Sequence, residues 1–178
     1  MFPEQKRFHD NYKKTAYLGV FTAAAILLSY IETLIPLPLG IPGIKLGLAN
    51  LAVVLLLYLY GPREAVLVSV VRIFIVGFMF GNLFSIFFSM AGGIVSLVIM
   101  YLLHRIGKFS IVAVSITGGV SHNLAQLIVA ACVVENTSIL YYLPVLIVAG
   151  VVTGLLIGIL SLELMKPLSR LVGRSNKT

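Results

Sequence analysis

Six long apolar runs, broken only by charge or by Gly/Pro turns, constrain this chain more than any other feature of it. They cover about Thr15–Ile35, Ile44–Tyr60, Glu64–Phe80, Leu83–Leu103, Ser110–Val134 and Leu140–Met165. A transmembrane helix needs about 20 mostly apolar residues to cross the hydrocarbon core. The second and third runs are short for this and span only with little tilt or with interfacial flanks. The apolar residues run continuously instead of alternating with period two, which argues against a transmembrane barrel. With 60% hydrophobic and 11% charged residues, the composition lies well away from that of soluble domains. The expected fold is all-α: a polytopic membrane protein of six transmembrane helices. It has one membrane domain, 15–165, between cytoplasmic tails at 1–14 and 166–178. The first apolar run lacks a small-x-small cleavage site, so it is read as a retained span. No internal repeat or low-complexity tract is evident.

The cations orient this domain. Lys6, Arg7, Lys13 and Lys14 precede the first run; Arg63, Arg105 and Lys108 lie in alternate connections; Lys166, Arg170, Arg174 and Lys177 follow the last. These are eleven of the 13 Lys and Arg, all on one side of an even-numbered topology. The positive-inside rule then places both termini in the cytoplasm, in a cytoplasmic (inner) membrane. Anionic lipid accounts for the net charge of +7, and no nucleic acid need be invoked.

Two cations escape the pattern. Lys45 lies at the outer entrance of the second run, after the stiff apolar stretch PLPLGIPGIK. Arg72 is eight residues beyond Glu64, a rise of about 12 Å that takes it close to the bilayer midplane. A charge there costs about 2.5–3.5 kcal/mol on insertion scales, so it must find a partner inside the bundle. That partner is Glu32, near the outer end of the first run, or an anionic ligand.

The fifth run carries GGVSHNLAQL. Ser115, Gly118, Gly119, His122 and Gln126 recur every three or four residues, so they are expected on one helical face, with Asn123 beside it. Ser85, Ser89, Gly92, Gly93 and Ser96 form a similar stripe on the fourth run. Small residues let helices approach closely. The larger His122, Asn123 and Gln126 either fix the bundle by interhelical hydrogen bonds or line a cavity. With Asn50 early in the second run, the candidate ligand-binding set is Lys45, Asn50, Arg72, Ser89, His122, Asn123 and Gln126. A net positive pocket of this kind favours an anionic ligand through charge-assisted hydrogen bonds, and its apolar walls suit an amphipathic one. On the first run, Thr15, Gly19 and Ala23 repeat every four residues, a small face for docking either another membrane protein or a helix of the same chain.

Several chemistries are disfavoured. The sole aspartate is Asp10, so the aspartate-rich Mg²⁺ sites that hold prenyl diphosphates cannot be built. No Walker motif is present. His9 and His104 lie at the cytoplasmic side, leaving His122 without companions for a metal site. Ser121 and His122 are adjacent on a helix and point about 100° apart, a poor catalytic pair. Cys132, the one cysteine, is read as a small packing residue. The expectation is no catalytic residue, no metal and no cofactor.

GIKLGLANLAVVL (Gly43–Leu55), VRIF around Arg72, FSMAGGIVSLVIM (Phe88–Met100) and FSIVAVSITGGVSHNLAQL (Phe109–Leu127) closely resemble the Gx transporter family. Its members carry the label heptaprenyl diphosphate synthase component I. The resemblance covers about Thr15 to Met165, with no departure in these strings. It implies kinship with the six-helix, substrate-binding S components of energy-coupling factor (ECF) transporters. It also implies partners, a transmembrane coupling protein and two cytoplasmic ATPases, docked through small residues that fall here on Gly19 and Ala23. The alternative is a non-catalytic membrane partner of an isoprenoid synthase.

Overall fold

The computed structural model describes residues 3–34 and 47–175; all of PLPLGIPGIK, Lys45 included, lies outside the described residues. Among the described residues there are six α-helices: α1 (Pro3–Leu34), α2 (Leu48–Leu59), α3 (Pro62–Phe80), α4 (Leu83–Ile106), α5 (Ile111–Val134) and α6 (Leu143–Ser175). A 3₁₀ turn over Thr137–Tyr142 leads into α6, and there is no strand among the described residues. The architecture is an all-α membrane bundle.

Helix ends fall where the sequence supplies stop and start chemistry. Asn82 caps α4 by accepting from Ser85 N–H at 2.8 Å, while Ser85 Oγ accepts from Asn82 N–H at 3.0 Å. This reciprocal box satisfies two otherwise orphaned donors. Ser110 caps α5, accepting from Ala113 N–H at 3.2 Å, and Pro62 opens α3 at a position where its missing N–H is harmless. Two boundaries differ from expectation. α1 begins at Pro3 and α6 continues to Ser175, through the basic segments expected as tails. No glycine interrupts 3–18, and Pro167 is accommodated within α6, so neither helix meets a stop at the membrane edge.

Among the described residues, four segments are long and apolar enough to cross a membrane: Tyr12–Glu32, Leu83–Ile106, Ile111–Val134 and Thr137–Val172. The chain is therefore a multi-pass membrane protein. α2, with 12 residues, rises only about 18 Å. α3 is 19 residues long but carries Arg63, Glu64 and Arg72, which lower its apolarity.

α2 is apolar all round, and a helix of that kind belongs in an interior. Ala49, Ala52 and the unbroken run Val53–Leu57 are buried, packed among α1, α3 and α6. The remaining neighbours follow as α3 on α4, α4 on α5 and α5 on α6. Large apolar side chains such as Val20, Leu27, Phe78, Phe87 and Val148 face outward, as lipid contact requires. Cys132 is also exposed, so it lies on the outer surface of α5 instead of packing.

The α5–α6 contact is made backbone to backbone. Gly150, Gly154 and Gly158 repeat every four residues along α6 and lie against α5. A Cβ on Gly154 would sit 2.6 Å from Ile116 Cα, and one on Gly119 would sit 2.5 Å from Gly150 O. Where lipid is as apolar as the side chains, such close packing is a main source of helix association. On the opposite side of α5, Gly118 faces Met100 of α4.

Candidate functional site

At the end of the bundle that holds the α3–α4 turn, five helices enclose a cavity of about 210 Å³. α1 contributes Ser29 and Glu32, the start of α2 gives Gly47 and Asn50, and α3 gives Arg72 through Phe80 on one face. Ser85 and Ser89 come from α4, and His122 and Gln126 from α5.

Arg72 is the charged centre of the wall. Its Nη1 donates to Ser29 Oγ at 3.3 Å, and Ser29 Oγ in turn donates to Ala25 O at 2.9 Å. Arg72 Nε is buried and has no hydrogen-bond partner among the described residues. Glu32 acts electrostatically on this guanidinium and also accepts the backbone N–H of Gly47. Gly47 adopts a left-handed conformation (φ 68°) and its carbonyl accepts Asn50 N–H at 2.8 Å, which starts α2 and sets Asn50 at the cavity edge. A left-handed residue is almost free of strain only as glycine.

His122 and Gln126 reach the cavity because α4 is hollowed beneath them. A Cβ on Gly92 would lie 2.9 Å from both His122 Cε1 and Gln126 Cγ. Gly77 does the same between α3 and α4, where a Cβ would meet Ile86 Cγ1 at 2.2 Å. These glycines place a carboxamide, an imidazole and a guanidinium around one space.

Of the seven residues expected at the site, Asn50, Arg72, Ser89, His122 and Gln126 line the cavity. Lys45 lies outside the described residues. Asn123 is not among the described lining residues; it donates through Nδ2 to Leu146 O of α6 at 2.9 Å. The expected single face of α5 is in fact two. Gly118, His122 and Gln126 turn to α4, whereas Gly119 and Asn123 turn to α6. Ser29 was missed by sequence reasoning; its signal was a hydroxyl three residues before Glu32 on α1, in an otherwise apolar turn. Among the described lining residues the fixed charges are Arg72 and Glu32, one of each sign.

Gly19 and Ala23 are both exposed, and a Cβ on Gly19 would meet nothing within 4 Å. Among the described residues, Gly19 and Ala23 therefore pack against no other helix, while Phe21, Ala25 and Ser29 face inward. Part-way along α1, Lys14 pairs with Glu64 of α3.

No curated protein and no solved structure matches the chain. A family model described as heptaprenyl diphosphate synthase component I matches residues 21–164, which include every cavity-lining residue. The match spans most of the chain and both walls of the cavity, and the chain belongs to that family.

Proposed function

We propose that this protein is a membrane-embedded, non-catalytic binding and translocation subunit for a small, anionic, amphipathic compound. The observation that carries this reading is Arg72: a buried guanidinium, one nitrogen unpartnered, on the wall of a cavity shared with Asn50, His122 and Gln126. Holding a charge inside a membrane bundle is unfavourable unless something compensates it. A phosphate or carboxylate would do so through charge-assisted hydrogen bonds.

The outward small face of α1 supports a partner in the membrane. Gly19 and Ala23 would let another helix approach closely. An ECF-type coupling protein with cytoplasmic ATPases is the partner this reading proposes, since no Walker motif is present in the chain itself. The proposed setting is the cytoplasmic membrane with both termini inside, which puts the cavity toward the outer face.

A second reading is favoured by the family's description: a non-catalytic membrane partner of an isoprenoid synthase. Affinity purification from native membranes separates the two. ATPases and a membrane coupling protein recovered with the chain support transport; a soluble, aspartate-rich synthase recovered instead supports the second reading. Loss of the transport partners in Gly19→Leu and Ala23→Leu variants would tie them to α1.

A further inference from the structure

Gln126 lines the cavity from α5 and is only 6% exposed. Other buried polar side chains of the bundle find their hydrogen bonds within it: Ser29 donates to Ala25 O, Ser96 to Gly93 O and Ser121 to Gly118 O. The carboxamide of Asn123, three residues earlier on α5, bonds to Leu146 O. No such bond joins the Gln126 carboxamide to another described residue. A buried amide without a partner is unfavourable, so a folded protein that keeps one on a cavity wall has something there for it to bond. The side chain also has little freedom to turn away. Gly92 of α4 lies so close that a Cβ there would stand 2.9 Å from Gln126 Cγ.

A primary carboxamide presents a donor and an acceptor side by side in one plane. The group that satisfies both at once carries the same pair in reverse: a C=O beside an N–H held cis, as in a lactam, a cyclic urea or an imide. Arg72 belongs to a different wall of the same space. α3 and α5 each pack on α4, and adjacent glycines of α4 serve one each. Gly93 lies against Ile73, the neighbour of Arg72, whereas Gly92 lies against Gln126. At about 210 Å³ the cavity is smaller than the roughly 300–1,000 Å³ of sites for drug-sized ligands, and suits one ring with a short arm.

We infer that the ligand is a small acid with two separate recognition groups: an anionic group held by Arg72, and a cis N–H/C=O edge bonded by both polar atoms of the Gln126 carboxamide. This rests on the binding-subunit reading above and adds to it the chemical class of the ligand's other half. Gln126 then acts as the specificity-determining side chain. An analogue with that edge blocked leaves the amide buried and unpaired, which is how a polar site rejects a near-isostere.

The test uses the full chain in detergent and δ-lactams that carry a carboxyalkyl arm of graded length. Each lactam is compared with its N-methyl and its cyclohexane counterpart by titration calorimetry. At the arm length that bridges the two groups, the lactam should bind at least about tenfold more tightly than either counterpart. Gln126→Leu and the near-isosteric Gln126→Met should bring all three to one affinity, whereas Asn123→Leu should preserve the preference. Arg72→Gln should weaken all three alike. Equal binding of lactam and counterparts by the unaltered chain, with affinity still dependent on Arg72, overturns this inference alone. A lactam preference that survives in both Gln126 variants overturns it too. Failure to bind any of these acids or inorganic phosphate, or binding indifferent to Arg72→Gln, overturns the binding-subunit reading and this inference with it.

Discussion

Gly92 of α4 lies directly beneath His122 of α5: a methyl group in place of its hydrogen would come within 2.9 Å of His122 Cε1 and of Gln126 Cγ. The shape of the cavity is therefore held by a missing side chain as much as by the ones present. Gly92→Ala should push His122 and Gln126 into the cavity, lowering ligand affinity at least tenfold. Overpacking of this kind costs about 1–3 kcal/mol, so a modest fall in thermal stability should accompany it. Binding and unfolding measured on the same preparation will check both.

A larger loss is expected at α6. The Cβ of Gly154→Ala would sit 2.6 Å from Ile116 Cα, and backbone cannot swing aside as a side-chain tip can. Gly154→Val should separate α5 from α6 and lower the detergent-solubilised melting temperature well below that of Gly19→Val, whose Cβ has open space around it. Equal melting temperatures for the two variants would contradict the backbone-contact account.

Asn123 and Gln126 are three residues apart and should behave oppositely. Asn123→Leu removes the hydrogen bond to Leu146 O, which should cost about 1 kcal/mol of stability while ligand binding persists. Gln126→Leu, in contrast, should weaken binding with little change in stability, because Gln126 lines the cavity. Scoring both variants in both assays separates the packing role from the binding role.

Why only part of this was legible in sequence is clear from particular residues. Apolar runs and flanking cations announce a membrane bundle directly, because hydrocarbon tolerates little else. Asn82 and Ser110 mark helix starts because their side chains can satisfy free backbone N–H groups. Arg72 stands out because a mid-span charge is costly and so needs a reason. The fate of Asn123 could not be read the same way. α5 is packed on both sides, so residues 100° apart on it face different helices, and sequence does not say which neighbour lies where. The Gly150, Gly154, Gly158 repeat was written plainly in the sequence, but its partner surface on α5 exists only once the two helices meet.

Ser161 provides a test of packing that is independent of the cavity. Its hydroxyl is fully buried on α6 with no hydrogen-bond partner among the described residues. An unsatisfied buried hydroxyl is unfavourable by about 1–3 kcal/mol. Ser161→Ala should therefore be neutral or raise the melting temperature by a few degrees. A clear destabilisation would show that the hydroxyl has a partner in the membrane.

The central claim is that Arg72 holds a ligand inside the bundle. Native mass spectrometry of the protein released from gently solubilised membranes tests this most directly, comparing the unaltered chain with Arg72→Gln, which keeps donor capacity but removes the charge. The account predicts a small-molecule adduct of acidic character on the unaltered chain and its loss from a folded Arg72→Gln variant. An adduct retained equally by both, or none on either, would contradict it.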